Sequence, residues 1–526
     1  MMPMKPVTVL LSVGAILVTL CAVFIGVFPV IFNSIVSKML VVSPSSKTFD
    51  SFITPPVPVY MQIWLFNVTN PDDIRYHGAK PIIKEVGPFT YMEVRKKFDF
   101  VWDHDRGTVT YRQNISYYFD EEMSYGHKES DNITTINAIM VVASKVFGHD
   151  KSAKVAKSPS DLQSEHHLPS IRDLILAIIW SQLEEGMDLF EVHTAEELLF
   201  GGFPLPEFNF DFSELSPKWL NFTKGWNGTL YDILDTMGVQ DLPDWLEDNK
   251  LGLMFGRNNT NDGTYTVKTG EKGLSDYLEI TEWNGNGSLN FWSDPDCNKI
   301  RGTDGSQYSP QVTKKTVLNI FTSEMCRSIY LTFEKQVNHY GIHTYRFIAP
   351  ESMLAAPADN PENYCYCYPD RDHCLGSGML NLQPCAKGAQ VIMSTPHFYM
   401  GDKVELAKLE GLHPNKADHE TFLDVEPRTG VTMNAAKKIQ INVPLKKYGN
   451  LPSFKNVPEV TFPILWINES ATVNATMSKD VKKGITLPFV VVNAICGSLI
   501  AIGAILLIVG IIRCIRIRMS RKQRKL

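Results

Sequence analysis

The chain has 526 residues, with 51 Lys and Arg against 57 Asp and Glu and a formal charge of −6. That length is ample for a substantial core with subdomains. Eight of the bases and none of the acids lie in the two end segments, so the middle holds 43 bases against 57 acids, an acidic balance that argues against nucleic acid as its partner.

In chain order, the first element is an apolar run. From Pro6 to Ser37 there is no charged side chain, and most of Val7 to Phe32 is Val, Leu, Ile, Phe and Ala. A second run spans Ile485 to Ile512, with ICGSLIAIGAILLIVGII at its heart. A helix needs about 20 apolar residues to cross a bilayer, so each run predicts a transmembrane helix. The first run exceeds the roughly 7–15 residues of a signal h-region and lacks a small-x-small cleavage site, which favours an uncleaved anchor over a signal peptide. Gly14, Gly26, Gly497, Gly503 and Gly510 are small enough for close helix contact.

Orientation follows from the flanks. Lys5 precedes the first run, and Arg513, Arg516, Arg518, Arg521, Lys522, Arg524 and Lys525 follow the second without an acid. Basic flanks stay in the cytosol. The predicted organisation is a cytosolic tail (1–6), a span (7–32), an extracellular or lumenal domain (33–484), a second span (485–512) and a basic cytosolic tail (513–526). That tail meets anionic lipid headgroups more readily than nucleic acid. Cys514, at the membrane edge, is a candidate for palmitoylation.

Between the spans, β-favouring stretches dominate: VYMQIWLFNVT, GTVTYRQNISYYF, GTYTVK, SIYLTF, HTYRFIAP, KIQINVPL and VTFPILWI. Gly, Pro and Asn punctuate them, which predicts an antiparallel β-rich domain. Helical signals cluster at Thr134–Val146, Ile171–Leu183 and Ala195–Phe200; in the second, Ser170 and Asp173 suggest a capping box before the apolar run Leu174–Trp180.

Sequons occur at Asn67, Asn114, Asn132, Asn221, Asn227, Asn258, Asn286, Asn468 and Asn474, all between the spans, and predict a glycosylated surface. Cys297, Cys326, Cys365, Cys367, Cys374 and Cys385 make an even set in the same region. In an oxidising compartment they read as three disulfides with fifteen connectivities. Zinc at CYCYPDRDHC is the weaker alternative, since sulfur spacing alone permits it. Catalytic patterns are missing: HETF (His419–Phe422) lacks a second zincin histidine, GSGML (Gly376–Leu380) lacks the Gly-x-Ser-x-Gly spacing, and there is no P-loop. The acids of LEEGMD (Leu183–Asp188) read as solvated helix-end residues. An enzyme is therefore the weaker expectation, and no catalytic residue, cofactor or metal is expected.

Longer stretches then point to a family. GLHPNKADHETFLDVEPRTGVTMNAAKKIQINV (Gly411–Val443) closely resembles a segment shared by class B scavenger receptors, which include the fatty-acid translocase, the high-density-lipoprotein receptor and the lysosomal integral membrane protein. FNVTNPDDI, EVGPFTY, HTAEELLFG, TEWNGNGSLNFW, CNKIRGTDGSQYSP, CRSIYLTFE, CLGSGMLNLQPC and PILWINES match in the same order. The lumenal motifs look most like the lysosomal member. The resemblance implies an α+β architecture: an irregular antiparallel β-barrel, a helical bundle at the apex and an internal apolar tunnel, held by two transmembrane helices. It implies the pairs Cys297–Cys365, Cys326–Cys385 and Cys367–Cys374.

The implied function is binding of lipids or lipoproteins and their uptake, at the plasma membrane. The alternative is a lysosomal or endosomal trafficking receptor that binds a soluble lumenal protein at the apex and releases it by pH. Homo-oligomers are compatible with either. The apical region would include Leu174, Ile178, Trp180 and Glu184. A lysine pair that attracts anionic particles in the fatty-acid translocase aligns near Glu184 and Gly186, an acidic stretch that argues against such ligands. RKQRKL carries no acidic dileucine signal, which argues against lysosomal residence. His166 and His167, beside Asp161, Glu165 and Asp173, are the candidate pH switch, since imidazole titrates near 6.5.

Overall fold

The structure, a computed structural model, describes residues 5–46, 48–141, 144, 180–181, 184–205, 208–210, 226–229, 249–386, 389–449 and 451–523. Two long helices frame it, Lys5–Leu40 and Leu487–Gln523, and both contain a window apolar enough to cross a membrane. They pack closely against each other. A Cβ on Gly14 would lie 2.7 Å from the Gly503 carbonyl oxygen, and one on Gly510 would meet Leu11, so glycine is what lets these backbones touch. Gly26 and Gly497 meet nothing within 4 Å. Phe489 adds edge contacts to Phe28 and Phe32, at 5.1 and 4.8 Å between ring centres.

Nineteen strands are described between the helices. The main sheet takes thirteen: β1 (Val59–Val68), β2 (Ile83–Asp103), β3 (Thr108–Phe119), β10 (Thr264–Lys268), β11 (Ile280–Trp283), β12 (Leu318–Thr322), β13 (Arg327–His339), β14 (Ile342–Ile348), β15 (Met379–Asn381), β16 (Ile392–Ser394), β17 (Phe422–Val425), β18 (Thr432–Leu445) and β19 (Val460–Thr472). Three two-stranded ribbons use β4 (Asn132–Ile136) with β5 (Phe190–Thr194), β6 (Phe203–Pro204) with β9 (Lys250–Leu251), and β7 (Phe208–Phe210) with β8 (Trp226–Gly228). Eleven strands of the main sheet form one antiparallel run in the order β11-β10-β3-β2-β1-β19-β18-β17-β14-β13-β12. The first and last strands of the chain's sheet, β1 and β19, are neighbours, with Val59 opposite Ala471.

The run curls into a nearly closed barrel. Its ends, β11 and β12, are bridged by residues 302–303: Ile280 N–H donates to Gly302 O at 2.8 Å, and Phe321 N–H donates to Thr303 O at 3.0 Å. Gly302 has φ +87, and a Cβ there would lie 2.0 Å from Asn319 O, so no other residue fits this joint. Joining the ends removes the exposed edges that make open sheets sticky.

Four apolar clusters are found among the described residues, the smallest at Ile342, Met433 and Val473. One joins β1, β2 and β19 to the apical segments, with Trp180 against Phe454. A second lies under the disulfide loop around Phe347, Leu331 and Val425. The third receives Leu40 and Val42, where the chain leaves the membrane, against Val109, Tyr111 and Tyr277.

One helical expectation is corrected. Thr134–Val146 opens as a strand, because Asn132–Ile136 pairs with β5, and the helix starts only after Asn137, whose side chain accepts from the Ile139 and Met140 amides. Asn is a favoured N-cap, so the turn signal overrides the apolar periodicity. Ala195–Phe200 is helical as expected, running into a π-helix over Glu197–Gly201.

Candidate functional site

The barrel interior is the candidate site, and the register places its lining. Lys437, Glu469, Met61, Tyr91 and Phe119 stand opposite one another on adjacent strands and so share one face. Glu93, Arg95 and Lys97 follow Tyr91 on the same face of β2 at a spacing of two. Lys437 reaches Glu324 in the β12–β13 turn although β17 and β14 intervene, and Lys97 reaches Asp304 beside the barrel joint. Contacts of that span form only across the inside of a closed sheet.

β2 inverts the usual alternation. Val94 is 39% exposed while the Glu93 and Lys97 side chains are buried, so charge faces in and apolar surface faces out. The inward charges form a belt. Arg95 joins Glu93 and Glu469, Lys437 joins Glu469 at 2.6 Å and Glu324 at 3.5 Å, and Lys97 lies 3.8 Å from Asp304. Lys97 also sits over the rings of Phe52 and Tyr111, at 4.9 and 5.2 Å. Burial alone would lift the Glu469 carboxyl, but Lys437 and Arg95 outweigh it and hold the group down at about 2. Burial wins at Glu93, whose carboxyl is raised despite Arg95, and at Lys97, whose ammonium is lowered despite Asp304.

Met61, Tyr91, Phe347 and Leu423 pack the inner face tightly, while other inward residues keep accessible surface. Asp304 and Lys437 keep 39% and 26% of their side-chain surface accessible. In β18, the outward Ala436, Lys438, Gln440 and Asn442 are buried beneath a covering segment, while the inward Ala435, Lys437, Ile439 and Ile441 stay partly accessible. Packed apolar and aromatic side chains thus share the inner face with partly accessible residues of β18 and with a charged belt.

A second cluster lies on the outer face. His397 and His419 stack at 4.4 Å, and Glu85 accepts from His397 Nε2 at 2.6 Å and from Trp466 Nε1 at 2.8 Å. His397 Nδ1 accepts from the His413 amide and His419 Nδ1 from the Asn415 amide, which assigns the remaining ring nitrogens as donors. Burial, reinforced by His397, lowers the His419 imidazole to about 4. Trp466 stacks on Trp64 at 3.8 Å as a cross-strand pair.

The cysteines are placed as follows. Cys297 is bonded to Cys365 and Cys367 to Cys374, which takes up thiolates that a zinc ion would need. Cys326 and Cys385, the third pair that the resemblance implies, stand side by side without a bond in the structure. They are neighbours, the Cys385 thiol being the largest influence on Cys326, while Cys326 Sγ donates to the Ser323 carbonyl in the β12–β13 turn.

Of the apical residues, Trp180 is buried against Phe454 and Glu184 accepts from the Ser453 amide at 2.9 Å, so Trp180 and Glu184 both meet the 451–457 loop. Asp188 of the same stretch pairs with Arg75, where the sequence suggested only solvent. Leu174, Ile178, His166, His167, Ser170, Asp173 and Asn221 lie outside the described residues. Asn227 is in β8. The other sequon asparagines differ in setting. Asn132 is exposed, Asn67 accepts from the Thr134 amide, and Asn114 donates to Asn259. Asn258 accepts from the Tyr117 amide, Asn286 donates to the Asn284 carbonyl, Asn468 donates to Gln62, and Asn474 caps helix Ala475–Val481. Cys514 is half-buried on the C-terminal helix.

Sequence reasoning missed the belt and the histidine pair, because both depend on cross-strand register.

Comparison with known proteins agrees with this architecture. The profile of the CD36 family matches residues 11–514. Lysosome membrane protein 2 of Homo sapiens is 32% identical over 458 residues, which cover 87% of this chain and 84% of that protein. Scavenger receptor class B member 1 is 30% identical in Mus musculus over 501 residues (95% and 88%) and 31% identical in Sus scrofa over 504 residues (96% and 88%). None of these names denotes an enzyme. A match across nearly the whole chain, on a barrel tethered by two apolar helices, places this chain in the CD36 family.

Proposed function

We propose that this protein is a class B scavenger receptor that binds lipids or lipoproteins and passes lipid through the barrel interior toward the bilayer. The accessible interior carries the reading, because apolar walls bury acyl chains at roughly 0.8 kcal/mol per methylene. The third apolar cluster supports the direction of transfer, since it brings Leu40, at the end of the N-terminal helix, against the barrel base. The belt adds a selection: a lipid passing it exchanges ionic partners for its own polar head, which favours amphipathic lipids over neutral ones.

In this reading, residues 7–32 and 485–512 span the plasma membrane, 33–484 are outside the cytosol, and 1–6 and 513–526 are cytosolic. Cys514 is then placed for palmitoylation, and the open faces at Gly26 and Gly497 suit self-association.

The test is native mass spectrometry of the full-length glycosylated protein with lipid-uptake assays on cells. Ala435 lies on the inner face beside Lys437. Bound lipid in the wild type and its loss, with uptake, in Ala435→Trp are the expected results. A lipid-free wild type, or equal lipid in both, refutes the proposal.

The similarity to Lysosome membrane protein 2 favours a second reading, a trafficking receptor in acidic compartments. There, a soluble protein docks at the apex around Leu174, Ile178, Trp180 and Glu184, and His166 and His167 release it on protonation. A stoichiometric partner whose pH dependence disappears in His166→Gln, His167→Gln distinguishes this reading from the first.

A further inference from the structure

Arg327 opens β13 beneath the disulfide loop, with only 4% of its surface exposed. Its guanidinium carbon lies 3.7 Å from the centre of the Tyr366 ring. Among the described residues its Nε–H has no acceptor, and the only groups that favour its charge are the hydroxyls of Tyr366 and Tyr330. Other arginines of the barrel are held differently: Arg95 grips Glu93 and Glu469, and Arg346 grips Asp424. Arginine keeps its charge throughout the physiological range. A charge withdrawn from water without a counter-charge is strongly disfavoured, so this residue is unexplained by packing alone.

The space beside it explains it. A pocket of ≈ 30 Å³ is lined by Arg327, Met353, Leu354, Tyr366, His373 and Leu380. That volume matches one water or a small planar group. Cys367–Cys374 ties the loop that carries His373, and Cys297–Cys365 ties that loop to the segment behind it. The His373 side chain is 62% exposed and marks the rim.

We propose that this pocket binds a carboxylate. Arg327 Nε–H and the adjacent terminal amino group offer the side-on fork that matches two carboxylate oxygens, and one negative charge balances the guanidinium. Phosphate carries more than one negative charge on average near neutral pH and would leave charge unbalanced against the single guanidinium. Met353, Leu354 and Leu380 suit the first carbons attached to the carboxylate. The source is either a small free carboxylate or the head of a fatty acid. Arg327 shares the inner face of the sheet with Leu331 and, through the pairs Phe333–Phe347, Phe347–Leu423 and Leu423–Ala435, with Ala435, but carboxylate binding at the pocket is read separately from lipid uptake.

The experiment uses the full-length protein in lipid nanodiscs, titrated with sodium acetate, butyrate and octanoate, with chloride and phosphate as controls. Saturable binding is read by ¹³C-carboxyl NMR and by the rise in Tm. Carboxylates are expected to bind and phosphate is not. Octanoate at least tenfold tighter than butyrate identifies a fatty-acid head; equal affinities identify a free small carboxylate. Arg327→Met is expected to abolish binding, and Arg327→Lys, which keeps the charge but loses the fork, to weaken it at least tenfold. If Arg327→Met does not fold, the wild-type and Arg327→Lys titrations still decide. Absence of saturable carboxylate binding in the wild type, or unchanged affinity in Arg327→Lys, overturns the proposal.

Discussion

Replacing Glu469 by Gln tests the charged belt directly. The carboxyl is lowered from 4.5 to about 2, and the residue is 19% exposed, so screening by solvent is modest. At 1.36 kcal/mol for each tenfold change in proton affinity, the charged form contributes roughly 3 kcal/mol. The usual cost of breaking a buried pair from one side, about 3–5 kcal/mol, agrees. Gln keeps the shape but leaves Lys437 with Glu324 and Arg95 with Glu93 alone. Unfolding entropy of about 2.1 cal/mol/K per residue over about 450 residues makes that loss a fall of about 3 °C in Tm. Differential scanning fluorimetry of both proteins in nanodiscs measures it. The folded-state value is depressed, so the stabilisation is fully present above about 4.5 and is lost as pH falls toward 2. The deficit should therefore be equal at pH 7.5 and pH 5.5. A Tm within 1 °C of wild type at neutral pH, or a deficit already gone at pH 5.5, refutes the argument. The double replacement Lys437→Met, Glu469→Leu removes both ends of one pair but leaves Arg95 with Glu93 alone and Glu324 without Lys437, so it should recover only part of the loss.

Cys326 and Cys385 are expected to close into a third disulfide in the oxidising lumen, because their thiols already adjoin. Non-reducing peptide mapping of protein from cells checks this, and free thiols at both positions count against it. His419, at about 4 in the folded protein against roughly 6.5 in the unfolded chain, gives stability that is full above pH 6.5 and declines toward pH 4. In His419→Gln that decline should flatten, and an unchanged slope of Tm against pH contradicts the assignment. Gly14→Leu should separate the two long helices, since its Cβ position is already 2.7 Å from Gly503 O. Cys21 and Cys496 adjoin across this interface, so copper-catalysed oxidation should link them in the wild type and not in the variant; equal linkage in both would show that the helices tolerate the bulk.

Much of the barrel was legible because β1, β3, β13, β18 and β19 combine β-branched or aromatic residues with a period of two. The two anchoring helices were legible from their unbroken apolar length. The belt was not. EVRKK reads as an exposed charged strand, and only the register of β2 against β1 and β19 turns Glu93, Arg95 and Lys97 inward onto Glu469. A local signal existed in hindsight, since those charges share parity with the core residues Phe89 and Tyr91. The histidine pair was hidden for the same reason: His397 and His419 are 22 positions apart and meet only because both segments fold over Trp466. Thr134–Val146 misled through its apolar spacing, which Asn137 interrupts.

The pairing of β1 with β19 has a mechanical consequence. The two strands nearest the anchoring helices in the chain lie side by side from Val59–Ala471 upward, beside a second attachment at Leu40 and Val42. If the anchoring helices part, the load falls first on Leu40 and Val42, docked against Val109, Tyr111 and Tyr277, and only then on the Val59–Ala471 pair and each rung in turn, as in a zipper pulled from its open end. The glycine contact at Gly14 and Gly503 keeps the helices together and so shields the barrel's foot from tension in the membrane plane.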